Sequence, residues 1–378
     1  MLRTEESKLT SWYFEIDRRL LGYVLALIVI SIICMISAGS VSAERLGHPW
    51  NYYILKAIPF YFLGVIFLLV SSALPKKWVI WLSWINVAVG LLLLLVTFVF
   101  PHPINGSDRF VSLFNHNVMP ADIMKPGFII ITALFLSKMR DAYGDDMFLS
   151  RAAWRFKWLS WWPYLAAFIP ALLIIFKHPD LGTAILYLAV LCAMLFIAGL
   201  PWVIIPVIGL AGIGLLTVAF FTMSHVHNRI VSFFTGTGDT YQVDKSLESI
   251  QNGGLFGQGD SSFVKQSLPD AHTDFIFAAI AEDAGAILAC ALIIFLMLVL
   301  RRLVLNATSA RDNFVFYATG GAAALFGTQV CINLMSTLHL FAPKGMTLPF
   351  ISYGGSSLLS FCLLFGMILA LVREDKWK

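Results

Sequence analysis

Apolar runs, each about as long as a bilayer is thick, follow one another along most of the chain. A helix needs about 20 mostly apolar residues to cross the hydrocarbon layer. We therefore divide the sequence where charges or turn residues interrupt these runs. The pattern predicts an all-α polytopic membrane protein with about ten transmembrane helices, at residues 20–39, 53–74, 78–99, 120–138, 158–177, 181–199, 201–223, 283–300, 313–340 and 351–372.

Composition supports a bilayer as the solvent. Of the 378 residues 59% are hydrophobic and 13% are charged, whereas soluble proteins carry roughly 25% charged residues. The chain therefore has more apolar surface than one core can bury, which excludes a water-solvated globular enzyme. The net charge of +4 is small and scattered, so the sequence predicts no nucleic-acid partner.

The positions of Lys and Arg predict the orientation, because cytoplasmic loops retain positive charge. With the N-terminus inside, 17 of the 26 basic residues fall on the inner side. Both termini are then cytoplasmic. The predicted segments are an N-terminal tail at 1–19, helices 1–7 within 20–223, a large extracytoplasmic loop at 224–282 between helices 7 and 8, helices 8–10 within 283–372, and a C-terminal tail at 373–378.

The outer segments hold the candidate chemistry. Asp274 stands where the polar stretch Leu268–Thr273 turns into an apolar span. A carboxylate partly removed from water is a stronger proton acceptor, which suits a general base acting on a hydroxyl. An N-cap of the following helix is an equally good interpretation. Asp270 is the weaker candidate base, because its position favours full solvation.

Two further features are unusual at membrane depth. Asp122 and Lys125 are three residues apart on one helical face, so they pair with each other, or the lysine binds phosphate, or both. The run Lys344–Ser357 carries glycines and serines directly into the last span. It predicts either an irregular backbone lining a polar cavity or close helix packing.

The histidines do not predict a metal centre. His225 and His227 are two residues apart, which opposes two ligands on one helical face, and the chain contains no HExxH motif. The surplus of carboxylates in the long loop leaves a divalent cation, Mg or Mn, as an alternative rather than an expectation.

Five blocks in fixed order resemble the SEDS family (shape, elongation, division and sporulation), most closely its division-type members. The chain departs from the family pattern at Asp108 and Phe110, where basic and Trp residues are common. The matching blocks are Asn105–Arg109 with Pro120–Lys125, His178–Thr183, Tyr241–Gln242 with Gly253–Gly257, Leu268–Phe277 and Leu348–Ser357.

The resemblance implies a SEDS fold and an inverting peptidoglycan glycosyltransferase that polymerises lipid II on the outer face of the inner membrane during septal synthesis. Asp274 takes the position of the family's proposed catalytic aspartate. The implied partners are lipid II, the growing glycan strand, a class B penicillin-binding protein and other divisome membrane proteins. The predicted substrate-binding residues are Arg109, Lys125, Arg229, Gln242, His272, Lys344, Ser352 and Ser356.

Three other functions fit the same sequence. A lipid II flippase would use a charged groove at membrane depth, but it predicts unusual charges on both leaflets, and here the unusual polar blocks are concentrated outside. An elongation-type polymerase differs only in its cellular role. A scaffold that merely holds a transpeptidase predicts that Asp274→Asn leaves division intact.

Overall fold

The computed structural model confirms an all-α membrane fold. It describes residues 8–99, 110–113, 116–144, 147–148, 165–166, 168–175, 180–222, 227–228, 230–231, 235, 241–340 and 345–376. The helices are α1 (Lys8–Glu15), α2 (Arg18–Arg45), α3 (Tyr52–Ala73), α4 (Lys76–Val99), α5 (Pro120–Tyr143), α6 (Leu181–Ile197), α7 (Ile204–Thr222), α8 (Tyr241–Gly253), α9 (Ile276–Thr308), α10 (Asn313–Thr337) and α11 (Gly355–Lys376).

Seven of these helices, α2 to α5 and α9 to α11, are long and apolar enough to cross a membrane. Helices α6 and α7 lie at two more of the predicted spans, and residues 168–175, within the span predicted at 158–177, are also helical. The number of ten spans stays a prediction, because part of the chain lies outside the described residues.

Burial separates a central group of helices from a surrounding group. In α5 and α11 83% of the apolar stretch is buried, and in α10 67%, against 22–33% in α2, α3, α4 and α9. The central helices are therefore covered by protein, whereas the surrounding helices leave most of their apolar surface for lipid. Helix α11 packs against α3, α5 and α10, and α10 also packs against α5, α6 and α9.

A short hairpin precedes α5 at its N-terminal end. Strands β1 (Val111–Leu113) and β2 (His116–Val118) pair antiparallel, with Val111 opposite Val118. Pro120 then begins α5, where its fixed φ suits the first helical turn and its missing N–H costs nothing. This start places Asp122 and Lys125 in the first two turns of a central helix.

The chain between α7 and α9 folds back against α9. Helix α8 and two 3₁₀ turns, Gly259–Ser261 and Val264–Ser267, pack along its N-terminal part. Helix α9 begins at Ile276, seven residues before the predicted span at 283–300, and its helical geometry breaks at Gly285 (φ 80°, ψ 171°). The N-terminal piece of α9 therefore belongs to the same layer as α8.

A polar cluster fixes the opposite end of the molecule. Arg302 Nε and Nη2 donate to the two carboxylate oxygens of Asp17, at 2.8 and 2.9 Å, and Asn306 adds a third donor at 2.6 Å. Asp17 also accepts from the first backbone N–H groups of α2. Because one carboxylate caps α2 and holds α9, the two helices are joined there.

Candidate functional site

A hydrogen-bonded turn positions Asp274. The carbonyl oxygen of Asp270 accepts from the backbone N–H groups of Thr273 and Asp274, at 3.0 and 3.1 Å. Asp270 takes the positive φ of 51° that this turn needs, and its side chain is exposed. Phe275 occupies the N-cap position of α9. Asp274 therefore stands just outside the helix, which favours the base over the N-cap interpretation.

Asn333 of α10 fastens this turn to the segment before α11. Its amide nitrogen donates to the carbonyl oxygens of both Asp274, at 2.9 Å, and Met346, at 2.7 Å. Asn333 is 1% exposed. A buried amide that donates to two backbone segments fixes their separation, because moving either segment would leave a buried polar group unpaired.

Gly345 leaves room for the Asp274 carboxylate. A Cβ atom at Gly345 would lie 2.6 Å from Asp274 Oδ2, well inside van der Waals contact. The Asp274 side chain is partly exposed, so the carboxylate lies at a protein surface rather than within the core. The arrangement places the carboxylate between two constrained backbone segments at a partly exposed position.

His272 lies in the same turn and supports it. Its carbonyl oxygen accepts from Tyr353 N at 2.9 Å, and its ring lies 4.1 Å from the Tyr53 ring. Nδ1 lies 3.0 Å from Ser42 Oγ. Burial lowers the pKa of His272 to about 4, so the ring is neutral near pH 7 and acts as a packing and hydrogen-bonding group there.

Lys125 is buried and paired. Its Nζ lies 2.7 Å from Asp122 Oδ1 and 2.8 Å from Gln329 Oε1, and the residue is 3% exposed. Asp122 Oδ2 accepts from Ser356 at 3.1 Å. Of the interpretations left open by the sequence, this geometry supports internal pairing, because the partners already neutralise and solvate the ammonium group.

This ion pair is connected to the Asp274 turn. Gln329 Nε2 donates to Thr347 O at 2.9 Å, while Asn333, one turn further along α10, holds Met346. Thr347 in turn donates to Ser357 Oγ at 2.9 Å. Two amides on one face of α10 therefore hold two consecutive residues, Met346 and Thr347. Through them the N-terminal end of α5 is joined to the turn that carries Asp274.

Two further predicted substrate-binding residues, Ser352 and Gln242, lie in different surroundings. Ser352 Oγ accepts from Leu348 N at 2.8 Å and closes the turn before α11. Gln242 lies in the first turn of α8, half-buried. Arg109, Arg229 and Lys344 lie outside the described residues, and their substrate-binding role stays a prediction.

Glu282 and Asp283 form a second polar cluster, two turns along α9 from Asp274. Glu282 is fully buried. Its carboxylate accepts from the backbone N–H groups of residues 263, 264 and 265 at 2.7–3.0 Å, and from Ser249 and Asn252. Asp283 pairs with Lys265. Both carboxylates are used in holding the loop against α9.

Sequence reasoning missed Gln329, Asn333 and Gly345. The two amides were detectable as polar side chains four residues apart within an apolar span, which marks a buried face. The prediction rested on charges, glycines and serines at membrane depth and left these amides out. The close approach of Gly345 to Asp274 had no local signal, since the residues are 71 positions apart.

The fold and this site define a class: a multi-pass membrane protein with a partly exposed aspartate whose backbone is held by a buried amide at one end of the helices. The model of the FtsW/RodA/SpoVE cell cycle proteins matches residues 18–377. The chain belongs to this family, which confirms the resemblance to SEDS proteins.

Individual relatives agree along the whole chain. A probable peptidoglycan glycosyltransferase FtsW of Caulobacter vibrioides is 31% identical, covering 98% of this chain and 93% of the relative. A protein of the same description from Thiomicrospira cyclica is 33% identical, covering 97% and 95%.

Solved structures share the fold. A chain from a peptidoglycan synthase complex that coordinates polymerization and crosslinking has a TM-score of 0.75 at 24% identity, covering 96% of this chain and 99% of that one. RodA of Thermus thermophilus has a TM-score of 0.67 at 24% identity, covering 96% and 98%.

Proposed function

We propose that the protein is an inverting peptidoglycan glycosyltransferase that polymerises lipid II. Asp274 takes the proton from the 4-hydroxyl of the acceptor lipid II. The resulting oxygen nucleophile attacks the anomeric carbon of the growing strand's terminal muramyl unit, and undecaprenyl pyrophosphate leaves with the electrons of the broken bond. Inversion follows from attack on the face opposite the leaving group.

The environment of the Asp274 carboxylate carries this proposal. It is partly exposed, it lies outside α9, and its backbone is fixed by the turn and by Asn333. A general base has to be reachable and held in place, since misplacement by about 1 Å costs much of the rate. Asp274 meets both needs, whereas Glu282 is inaccessible.

The leaving pyrophosphate requires positive charge. Arg109, Arg229 and Lys344 are the proposed cations. Lys125 is better assigned as a positioning residue, because its ammonium group is occupied by Asp122 and Gln329. It acts through Gln329 on the Met346–Thr347 segment and so on the turn that holds Asp274.

A divalent cation finds little support in the side chains. Among the described residues no three His, Cys, Asp or Glu side chains converge as ligands, and the carboxylates of Glu282 and Asp283 accept from protein donors. We therefore assign no step to a metal ion.

The family and the names of its members support the cellular setting. The relatives are named for FtsW, which favours septal synthesis at the inner membrane. The distribution of Lys and Arg favours both termini in the cytoplasm. One structural neighbour belongs to a complex that joins polymerization to crosslinking. We accordingly propose a class B penicillin-binding protein as partner, with other divisome membrane proteins around it.

The test is a liposome assay with lipid II and the cognate class B penicillin-binding protein, in which glycan strands and transbilayer movement of lipid II are both measured. We expect glycan from the wild type, and a loss of about 10²–10⁴-fold in Asp274→Asn. Asp270→Asn is the matched control, since Asn tolerates positive φ, and it should polymerise normally. Movement of lipid II without glycan from the wild type would establish a flippase instead.

A further inference from the structure

The segment that joins α8 to the first 3₁₀ turn contains two strongly exposed apolar side chains. Leu255 is 64% exposed and Phe256 is 82% exposed. They lie between Gly254 and Gly257, both with positive φ, at the point where the chain reverses direction. Exposed large apolar groups that are adjacent in a turn need an apolar neighbour.

Backbone hydrogen bonds fix the height of this turn on α9. Ala286 N donates to Gly254 O at 2.9 Å, and Ile287 N donates to Leu255 O at 3.3 Å. The break at Gly285 makes these bonds available. Gly257 and Gly285 are in direct backbone contact, because a Cβ at Gly285 would lie 2.4 Å from Gly257 N. The turn is therefore attached at a defined level of the helix.

That level lies within the predicted hydrocarbon layer. Arg301 marks the inner boundary, and Ile287 is 14 residues above it, which is about 21 Å of helix. The layer is about 30 Å thick, so Leu255 and Phe256 reach about 9 Å below the outer boundary. Ile287 and Leu288 beside them are 53% and 58% exposed, as lipid-facing residues are.

The rest of the segment changes polarity at the expected height. Gln258 N donates to Glu282 O at 2.8 Å, which places Gln258 beyond the break at Gly285 and closer to the outer boundary than Leu255. Gln258 and Ser261 are exposed there. On the side of the segment that faces α9, Ser262 and Lys265 pair with Asp283 and are buried against protein. These four polar groups thus face protein or the boundary, while Leu255 and Phe256 face outward below it.

We infer that residues 254–257 form a re-entrant turn whose Leu255 and Phe256 side chains insert among the acyl chains of the outer leaflet. The occupant of this surface is bilayer lipid, because the surface continues the lipid-facing side of α9 without a polar interruption. Insertion anchors the loop that leads through residues 263–267 to Asp274, and so fixes the height of the proposed active site relative to the membrane surface.

Spin-label accessibility in liposomes tests this. The five native cysteines are replaced by alanine or serine, and single cysteines at Leu255, Phe256, Ser261, Asp244 and Ile294 are labelled in the full-length chain. Oxygen is enriched in the acyl region, whereas a water-soluble nickel chelate is excluded from it. Ile294 serves as the lipid-facing standard, because it lies on α9 and is 61% exposed, and exposed Asp244 of α8 serves as the aqueous standard.

We expect labels at positions 255 and 256 to match Ile294, with high oxygen and low nickel accessibility, and the label at 261 to fall between the standards. Two insertion positions are used so that one misfolded variant does not decide the result. Nickel accessibility like that of Asp244 at both positions would place the turn in water and overturn the inference. Immobile labels reached by neither reagent would show protein contact and would also overturn it.

Discussion

Asp274 and Glu282 lie eight residues apart, yet the structure treats their carboxylates in opposite ways. Glu282 is fully buried and accepts from three consecutive backbone N–H groups and two side chains. Asp274 is partly exposed, and its backbone is held by the surrounding turn and by Asn333. The first carboxylate organises a loop, and the second is presented by one.

The difference shows how the same side-chain chemistry serves structure or catalysis. A carboxylate that accepts several buried donors is stabilised as an anion and shielded from substrate. A general base has to remain reachable and gain a proton during the reaction. Accessibility and fixed backbone geometry, rather than charge alone, therefore separate the proposed base from its neighbour.

Removal of the Glu282 carboxylate should have the largest effect on stability. Glu282→Ala leaves three backbone donors of residues 263–265 without their acceptor, and each buried unsatisfied donor costs about 1–3 kcal/mol. We expect a loss of about 5 kcal/mol, seen as a collapse in the yield of folded protein and early thermal unfolding in detergent. Glu248→Ala, at a half-exposed surface pair, is the control and should change little.

Lys125→Met should rank second. It leaves the Asp122 carboxylate buried without its cation, at a cost of about 3–5 kcal/mol. The double variant Asp122→Asn with Lys125→Met removes both charges and should recover most of that stability. A double variant as unstable as the single one, measured by thermal unfolding, would show that the pair is not the reason for the loss.

Acid should destabilise the protein through His272. The pKa of His272 is about 4 in the folded protein, against about 6.5 when unfolded, so the unfolded state binds the proton first as the pH falls. The stability of the folded protein is therefore unaffected by this group above about pH 6.5 and falls progressively as the pH is lowered towards 4. The loss in the free energy of unfolding is about 2 kcal/mol at pH 5. His272→Asn should reduce this slope between pH 5 and 7, and an unchanged slope would contradict the assignment.

Gly345→Ala should have a smaller effect, confined to catalysis. The new Cβ would lie 2.6 Å from Asp274 Oδ2, so the carboxylate has to move. We expect polymerisation to slow by about tenfold, or about 1.4 kcal/mol in the barrier, with little change in thermal unfolding. Gly22→Ala is the matched control, because a Cβ there meets nothing within 4 Å, and it should retain full activity.

The membrane fold could be predicted from the sequence because each membrane span requires a long apolar run. Asp274 could be identified because a polar block meets an apolar run at that position. The neighbourhood of Asp274 did not follow. Asn333 and Gly345 reach it through contacts between segments far apart in the chain. Nothing local in the sequence specifies such contacts, which arise from the packing of α10 against the turn.

The rate of glycan polymerisation per folded molecule, compared between Asp274→Asn and Glu282→Gln in the same liposomes, tests the central claim most directly. The Asp274 variant should keep the thermal stability of the wild type and lose about 10²–10⁴-fold in rate. The Glu282 variant should lose stability, while the molecules that remain folded polymerise at a rate close to that of the wild type. Full activity in the Asp274 variant, or catalytic loss confined to the Glu282 variant, would contradict the account.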